Sequence, residues 1–154
     1  MDDDTIRPAT AQDIETILRH RRRMFEDMGF VDPKALDAMT AISTPLIARG
    51  LRDGTYRGWL VESDGSGVVA GAGVINLEFQ PHPIDPRPRR AWVVNMYTEP
   101  AHRRRGLARR LMETVVVWCR AEGMRFLHLH ASAHGRPLYE SLGFEPTNEM
   151  RLTL

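Results

Sequence analysis

The chain has 154 residues, of which 42% are hydrophobic and 27% charged, and its formal net charge is +1 at pH 7. This composition predicts one globular domain over residues 1–154 and argues against a general nucleic-acid binder, because such domains usually carry a strong basic excess. The acidic start of the chain and the lack of a long apolar run predict a cytoplasmic protein with no membrane partner.

Cysteine and arginine give further information on the class of protein and its source. Cys119 is the single cysteine, so the sequence offers no disulfide framework and no cluster of thiol ligands for a metal. All of the basic residues except Lys34 are arginine, a bias that indicates a GC-rich, bacterial genome and carries no mechanistic weight.

The N-terminal part predicts a short edge strand followed by an amphipathic helix. Residues 5–8 include a proline, which cannot donate within a β-ladder, so this strand is expected at a sheet edge. Thr10 and Asp13 have the spacing of a capping box, and apolar residues then recur at helical spacing as far as Gly29. Arg21 lies near the apolar stripe of this helix, and the sequence identifies no partner for it.

The next part of the chain predicts a second helix and a β-hairpin. Asp32 is the expected N-cap of the helix, which Pro45 should kink or divide into two short helices. Strands are predicted at 56–62 and 68–79 with a turn between them. The loop at 80–90 contains four prolines and could form a wall of an acceptor pocket, a dimer contact or an exposed insertion.

The most informative stretch predicts a strand, a tight turn and a helix. Residues 91–97 are apolar and rich in β-branched and aromatic residues, as is typical of a buried strand, and Pro100 ends it. Apolar residues then recur at helical steps: Leu107, Leu111, Val115 and Trp118. The first turn of a helix leaves about four N–H groups without partners and carries about half a positive charge, so this turn predicts an anion site.

Two features of the turn support that prediction. Gly106 has no Cβ, so a phosphate can approach the backbone closely, and Ala108 keeps the next exposed position small. Arginines surround the turn: Arg103, Arg104, Arg105, Arg109 and Arg110. An isolated run of arginines is more often a solvated basic face, but these residues bracket a glycine between a strand and a helix and favour a phosphate ligand.

The remainder of the chain predicts a strand at 126–131, a short helix at 137–142 and a final extended segment at 150–154. His128 and His130 share one face of the strand. Because no third ligand follows nearby, hydrogen-bonded sheet histidines are favoured over a metal site, and no metal is expected.

Two motifs resemble a known family. Arg103-x-x-Gly106-x-Ala108 resembles the Arg/Gln-x-x-Gly-x-Gly/Ala motif of the GNAT superfamily of N-acetyltransferases. The segment from Pro137 to Phe144 resembles the family's Leu-Tyr-x-x-x-Gly-Phe signature. The order of elements is also similar, which implies an α/β (α+β) fold: a mixed, mostly antiparallel sheet of six or seven strands with a splayed parallel central pair, flanked by about four helices.

The resemblance implies acetyl-CoA as cosubstrate and direct attack by a primary amine, either a small molecule or a peptide. It implies that the strand end contacts the pantetheine arm and that the turn holds the pyrophosphate, through Met96, Tyr97, Thr98, Arg103, Arg104, Arg105, Gly106, Leu107, Ala108 and Arg109. Ser132 replaces an asparagine found in many members and is expected to bond the pantetheine or a water. Tyr139 matches the tyrosine that faces the departing thiolate and is the expected general acid.

Several alternatives remain open at this point. Tyr139 could be only a core aromatic. The general base could be Glu78, Glu99, or a water chain ending on His128 or His130. The domain could also bind or sense acyl-CoA without turnover, and a nucleotide site is disfavoured because no Gly-x-x-x-x-Gly-Lys-Ser/Thr run occurs. A homodimer is compatible with the sequence.

Overall fold

The computed structural model describes residues 4–154, and the acidic start at residues 1–3 lies outside them. Within this range five strands lie side by side in chain order: β1 (Thr5–Pro8), β2 (Tyr56–Ser63), β3 (Gly67–Glu78), β4 (Arg89–Thr98) and β5 (Leu127–His128). The helices are α1 (Ile14–Asp27), α2 (Pro33–Asp53), α3 (Leu107–Ala121) and α4 (Arg136–Ser141). Strands β1 to β4 are antiparallel and β5 is parallel to β4, so the predicted mixed fold is confirmed.

The sheet of residues 4–154 has five strands rather than the predicted six or seven. Strand β5 is shorter than expected, because it pairs with β4 only through Leu127 and His128. The extended segment predicted at 150–154 was expected to be the last strand of the sheet, and this is wrong, since these residues pair with no strand of the described chain. Met150 and Leu152 are 93% and 81% exposed, so the segment has neither the ladder nor the buried face that stabilises a strand.

Helix α2 runs unbroken from Pro33 to Asp53, so the expectation of two short helices is wrong. Pro45 lies on an exposed part of the helix, where the missing N–H can be tolerated. The packing of Leu36 and Ile47, both buried, holds the helix on either side of the proline. Tertiary contacts therefore outweigh the local cost of proline in this helix.

Neighbouring residues of each central strand face opposite layers of the molecule. Val93 packs in the cluster that contains α3, whereas Val94 borders the cluster formed by Ile17 of α1 and Ile47 of α2. The α3 layer is completed by the apolar positions predicted from the sequence, including Leu107, Leu111 and Val115. The sheet thus separates α1 and α2 from α3.

Two further findings concern the helices. The predicted capping box opens the first helical segment, where the Thr10 side chain accepts from the Gln12 N–H and the Thr10 N–H donates to Asp13 at 2.7 Å. Of the helices within residues 4–154, none combines the length and the apolar character that crossing a bilayer requires.

Candidate active site

Strands β4 and β5 are joined at one end and separate at the other. Their pairing is limited to Ala91 with Leu127 and Trp92 with His128, whereas β4 continues against β3 as far as Thr98. Beyond Trp92, therefore, the β5 side of β4 has no strand partner within residues 4–154. This is the splayed parallel pair that the family resemblance implied, and it leaves a gap lined by main-chain groups.

A β-bulge in β4 lies level with this gap. Gly73 pairs with Val94 and Gly71 with Tyr97, so two residues of β4, Asn95 and Met96, stand opposite one residue of β3. Asn95 has a φ of 57°, in the left-handed region that non-glycine residues rarely occupy. Such a bulge changes the direction of the strand beside the predicted contacts of Met96 and Thr98.

Buried polar groups hold the bulge from the α1 side. The Asn95 Oδ1 accepts from Nη1 of Arg21 at 2.7 Å, and the Asn95 Nδ2 donates to the hydroxyl of Tyr56 at 3.0 Å. Burial raises the pKa of Tyr56 to about 12, so its hydroxyl stays protonated at neutral pH. Asn95 was not among the site residues predicted from the sequence, although a polar residue within an otherwise apolar strand was a usable signal.

The turn before α3 presents unpaired main-chain donors. Gly106 is the N-cap with a φ of 77°, and a Cβ placed on it would meet no protein atom within 4 Å. The amides of Gly106, Leu107, Ala108 and Arg109 donate to no acceptor in residues 4–154, and the first helical bond runs from the Arg110 N–H to the Gly106 carbonyl at 3.1 Å. Open donors at a helix N-terminus beside a gap of this kind suit the diphosphate of a coenzyme A thioester.

Arg103 ties this turn to the rest of the molecule. Its Nε donates to the Thr98 carbonyl at 2.9 Å and its Nη2 to Asp27 at the end of α1. The guanidinium also lies 5.7 Å from the ring centre of Tyr97, whose side chain is buried beneath α1. These contacts indicate that Arg103 orders the turn.

Other arginines of the turn also contact protein groups. Arg105 donates to Asp4 at 2.9 Å, and Arg110 donates to the Asp4 carbonyl at 2.8 Å. Arg109 donates to the Ser141 hydroxyl at 2.6 Å, which connects the start of α3 to α4. Much of the predicted cationic ring therefore fixes the conformation of the turn.

The two predicted side chains of the C-terminal half lie together. The Ser132 hydroxyl accepts from the Gly135 N–H at 3.1 Å, and a Cβ on Gly135 would lie 3.3 Å from that hydroxyl and 3.0 Å from the Tyr139 ring. The ring of Tyr139 packs on Phe144 and, like Met96, borders the core cluster that contains α3. Burial raises the pKa of Tyr139, so its hydroxyl carries a proton at neutral pH.

Glu99, one of the candidate bases, is held by a cation. Both of its carboxylate oxygens accept from Nη1 of Arg23 at 2.8 Å, and the nearest His20 nitrogen lies 3.7 Å away. Both oxygens that a general base would use are thus engaged by one guanidinium. These contacts favour a structural role for Glu99.

The histidines of the β5 region stack on Trp92. The centres of the His128 and His130 rings lie 4.9 Å and 4.8 Å from the centre of the Trp92 ring, which confirms that the two histidines share one face. The Nε2 atom of His130 also lies 2.9 Å from a carboxylate oxygen of Glu149. With Tyr139 these residues line a cavity of about 470 Å³ against the C-terminal segment. Among the described residues no group of three or more His, Cys, Asp and Glu side chains is arranged to hold a metal ion.

Comparisons with known proteins agree with this geometry. The model of the acetyltransferase (GNAT) family matches residues 14–144. A GCN5-related N-acetyltransferase from Ralstonia eutropha JMP134 is 35% identical, with 98% of each chain covered and a TM-score of 0.89. A predicted acetyltransferase from Clostridium acetobutylicum, solved with acetyl-CoA, is 26% identical over 98% of this chain and 96% of that one, with a TM-score of 0.88.

More distant structures share the fold. An aminoglycoside N-acetyltransferase in complex with CoA is 19% identical over 100% of this chain and 95% of that one, with a TM-score of 0.69. No curated protein sequence matched the chain. The family model covers most of the sequence, and both motifs lie on the elements that the family resemblance implied. The chain therefore belongs to the GNAT family of acetyltransferases, with acetyl-CoA as its cosubstrate.

Proposed function

We propose that the chain, as one catalytic domain over residues 1–154, transfers the acetyl group of acetyl-CoA to the primary amine of a small molecule or peptide. The observation that carries the proposal is the set of unpaired amides from Gly106 to Arg109 beside the gap between β4 and β5. A diphosphate fits the amides, and an extended thioester-bearing arm fits the gap. A site for a free anion would need only the amides, so the gap beside them favours a ligand that carries an extended arm.

Binding of the cosubstrate is assigned to the elements on both sides of the turn. Main-chain groups of Met96, Tyr97 and Thr98 line the gap and would contact the arm. The amides between Arg104 and Arg109 would hold the pyrophosphate, with the helix dipole adding to their attraction. Ser132 already accepts from the Gly135 N–H, so its own hydroxyl proton is the group left to bond the pantetheine or a water.

The transfer follows from these positions without an enzyme nucleophile. The neutral amine attacks the thioester carbon, the new C–N bond forms, the C–S bond breaks, and the amine nitrogen loses one proton to water, directly or through one of the candidate bases. An N–H near Met96 would polarise the carbonyl, a contribution of about 3 kcal/mol for a well-placed donor. Burial keeps the phenol of Tyr139 protonated, and a thiolate that forms in a buried site is more basic than one in water, so Tyr139 would give its proton to the departing thiolate.

The test is release of free thiol from acetyl-CoA in the presence of a panel of amines, with the acetylated products identified by mass spectrometry. We expect thiol release that depends on the amine and equals the acetylated product. Tight CoA binding without thiol release on any amine would instead identify a non-catalytic acyl-CoA-binding domain.

A further inference from the structure

A partly buried cation without a carboxylate partner lies on the α1 side of the bulge. Arg21 donates from Nη1 to Asn95, and its Nε is buried without a hydrogen-bond partner in residues 4–154. Its guanidinium forms no ion pair with any carboxylate of the described chain, although it lies 5.1 Å from the ring centre of Phe25. Burying a charge is costly unless the charge is paired and hydrogen-bonded.

The neighbouring arginines of α1 show the contrast. Arg22 pairs with Glu26 and Asp37 at 3.1 Å and 2.7 Å, and the next arginine along the helix is bonded to both oxygens of a carboxylate. Burial lowers the pKa of Arg21, whereas the carboxylates beside Arg22 raise the pKa of that residue. Within residues 4–154, carboxylates thus pair with Arg22 and Arg23, whereas none pairs with the more buried Arg21.

The position of Arg21 relates it to the reaction centre. Its partner Asn95 is directly followed by Met96, and consecutive Cα atoms lie about 3.8 Å apart. Arg21 reaches this point from α1, and so from a different side than the turn at Gly106 that is assigned to the pyrophosphate. A group bound at Arg21 would therefore belong to the acceptor.

We propose that Arg21 binds a carboxylate of the acceptor, so that the substrate is an amino acid or another small amine that bears a carboxylate group. This inference rests on the proposed function. The Nε edge of the guanidinium is buried, whereas the end that carries Nη1 and Nη2 offers two parallel N–H donors, which match the two oxygens of a carboxylate. One partly buried guanidinium balances one negative charge, which favours a carboxylate over a phosphate dianion, and it would repel a polycationic amine.

The first experiment compares matched acceptors on the unaltered protein. Each L-amino acid is paired with the amine left after loss of its carboxylate, for example tyrosine with tyramine, and an aminoalkylphosphonate provides a second anion. Because a hydrogen bond to a charged group contributes about 10- to 150-fold in binding, kcat/KM should be higher by this factor for the acid, mainly through KM. A preference for the phosphonate over the carboxylate would overturn the assignment to a carboxylate.

The second experiment removes the cation. Arg21→Met should lower kcat/KM for the acid far more than for the decarboxylated amine and so abolish the preference for the acid, and Arg21→Lys should restore part of that preference. Arg22→Met is the matched control on the same helix and should keep the preference. Circular dichroism and melting temperature identify a variant that fails to fold, in which case the comparison on the unaltered protein decides.

Each contrary result has a separate meaning. Equal kcat/KM values for the acid and the amine in the unaltered protein would overturn the role of Arg21, and so would a preference that survives in Arg21→Met. If no amine is acetylated, the proposed function fails. Arg21 is then tested by the rise in melting temperature that an N-acetylated amino acid produces with CoA present, which should exceed the rise for an N-acetylated amine and vanish in Arg21→Met.

Discussion

Tyr139 is the residue on which the proton balance of the proposed transfer depends. Its ring is held by Phe144 and by the backbone at Gly135, so the position of the phenol is set by packing rather than by a hydrogen bond. Burial raises the pKa of the phenol and keeps it protonated, as a proton donor requires. Packing and proton donation can be separated because phenylalanine preserves the ring.

We expect Tyr139→Phe to lower kcat by about 100-fold with little change in KM, because general acid catalysis is lost while the ring contacts remain. Steady-state kinetics with acetyl-CoA would measure both constants. The variant should also lose the alkaline limb of the pH profile if that limb reports the phenol. An unaltered kcat would restrict Tyr139 to packing against Phe144.

The turn between β4 and α3 is the element to which we assign the binding of the coenzyme A diphosphate. Its conformation depends on the left-handed residues Arg104 and Gly106 and on the bonds that Arg103 makes to Thr98 and Asp27. A side chain added at Gly106 would project into open space and would clash with no protein atom. Its cost to the fold would be limited to the positive φ, which favours glycine. Its effect on the ligand would be to occupy the position proposed for the diphosphate.

We predict that Gly106→Glu abolishes CoA binding while the chain stays folded, because the carboxylate repels the diphosphate and covers the amides. Gly65→Glu is the control: that glycine also has a positive φ, of 74°, and open space around it, but it lies in the turn between β2 and β3. Isothermal titration with CoA should show binding only in the control. Equal affinities would reject the assignment of the turn to the pyrophosphate.

At the scale of the whole molecule, α1 connects the turn, the bulge and the sheet. His20 of this helix is 1% exposed, and neither ring nitrogen has a hydrogen-bond partner within residues 4–154. Burial lowers the pKa of His20 to about 4, and the charge of Arg19 acts in the same direction. An unfolded chain would have the ordinary pKa of about 6.5 at this residue. The folded chain therefore holds His20 neutral where the unfolded chain binds a proton.

This difference predicts a pH dependence of the free energy of unfolding. The stability that depends on neutral His20 is fully present above pH 6.5 and is lost as the pH falls towards 4. By pH 5 the loss in the free energy of unfolding is about 2 kcal/mol. In His20→Leu the decrease in stability between pH 7 and pH 5 should be smaller by about this amount. Urea unfolding at the two pH values tests it, with the exposed His134→Leu as control. The same decrease in both variants would contradict the buried neutral state.

The sequence predicted the local parts of this molecule and missed those that depend on distant contacts. Helical spacing and caps predicted α1 and α3, and the glycine between a strand and a helix predicted a turn with open amides, because these signals lie within a few neighbouring residues. The bond between Arg21 and Asn95 joins residues 74 positions apart, which no local pattern reports. The shortness of β5 and the number of strands found in residues 4–154 likewise depend on ladder partners elsewhere in the fold.

The attachment of β5 to the sheet by two residue pairs also bears on how fast different amides exchange with solvent. Strands with few ladder bonds open more readily than central ones, so amide hydrogens of β5 and α4 should exchange with deuterium faster than those of β3. The thioester arm of coenzyme A, bound in the gap between β4 and β5, would supply hydrogen-bond partners to the main-chain groups that line this gap. Coenzyme A should therefore slow exchange most on the wall that carries Ser132 and Tyr139.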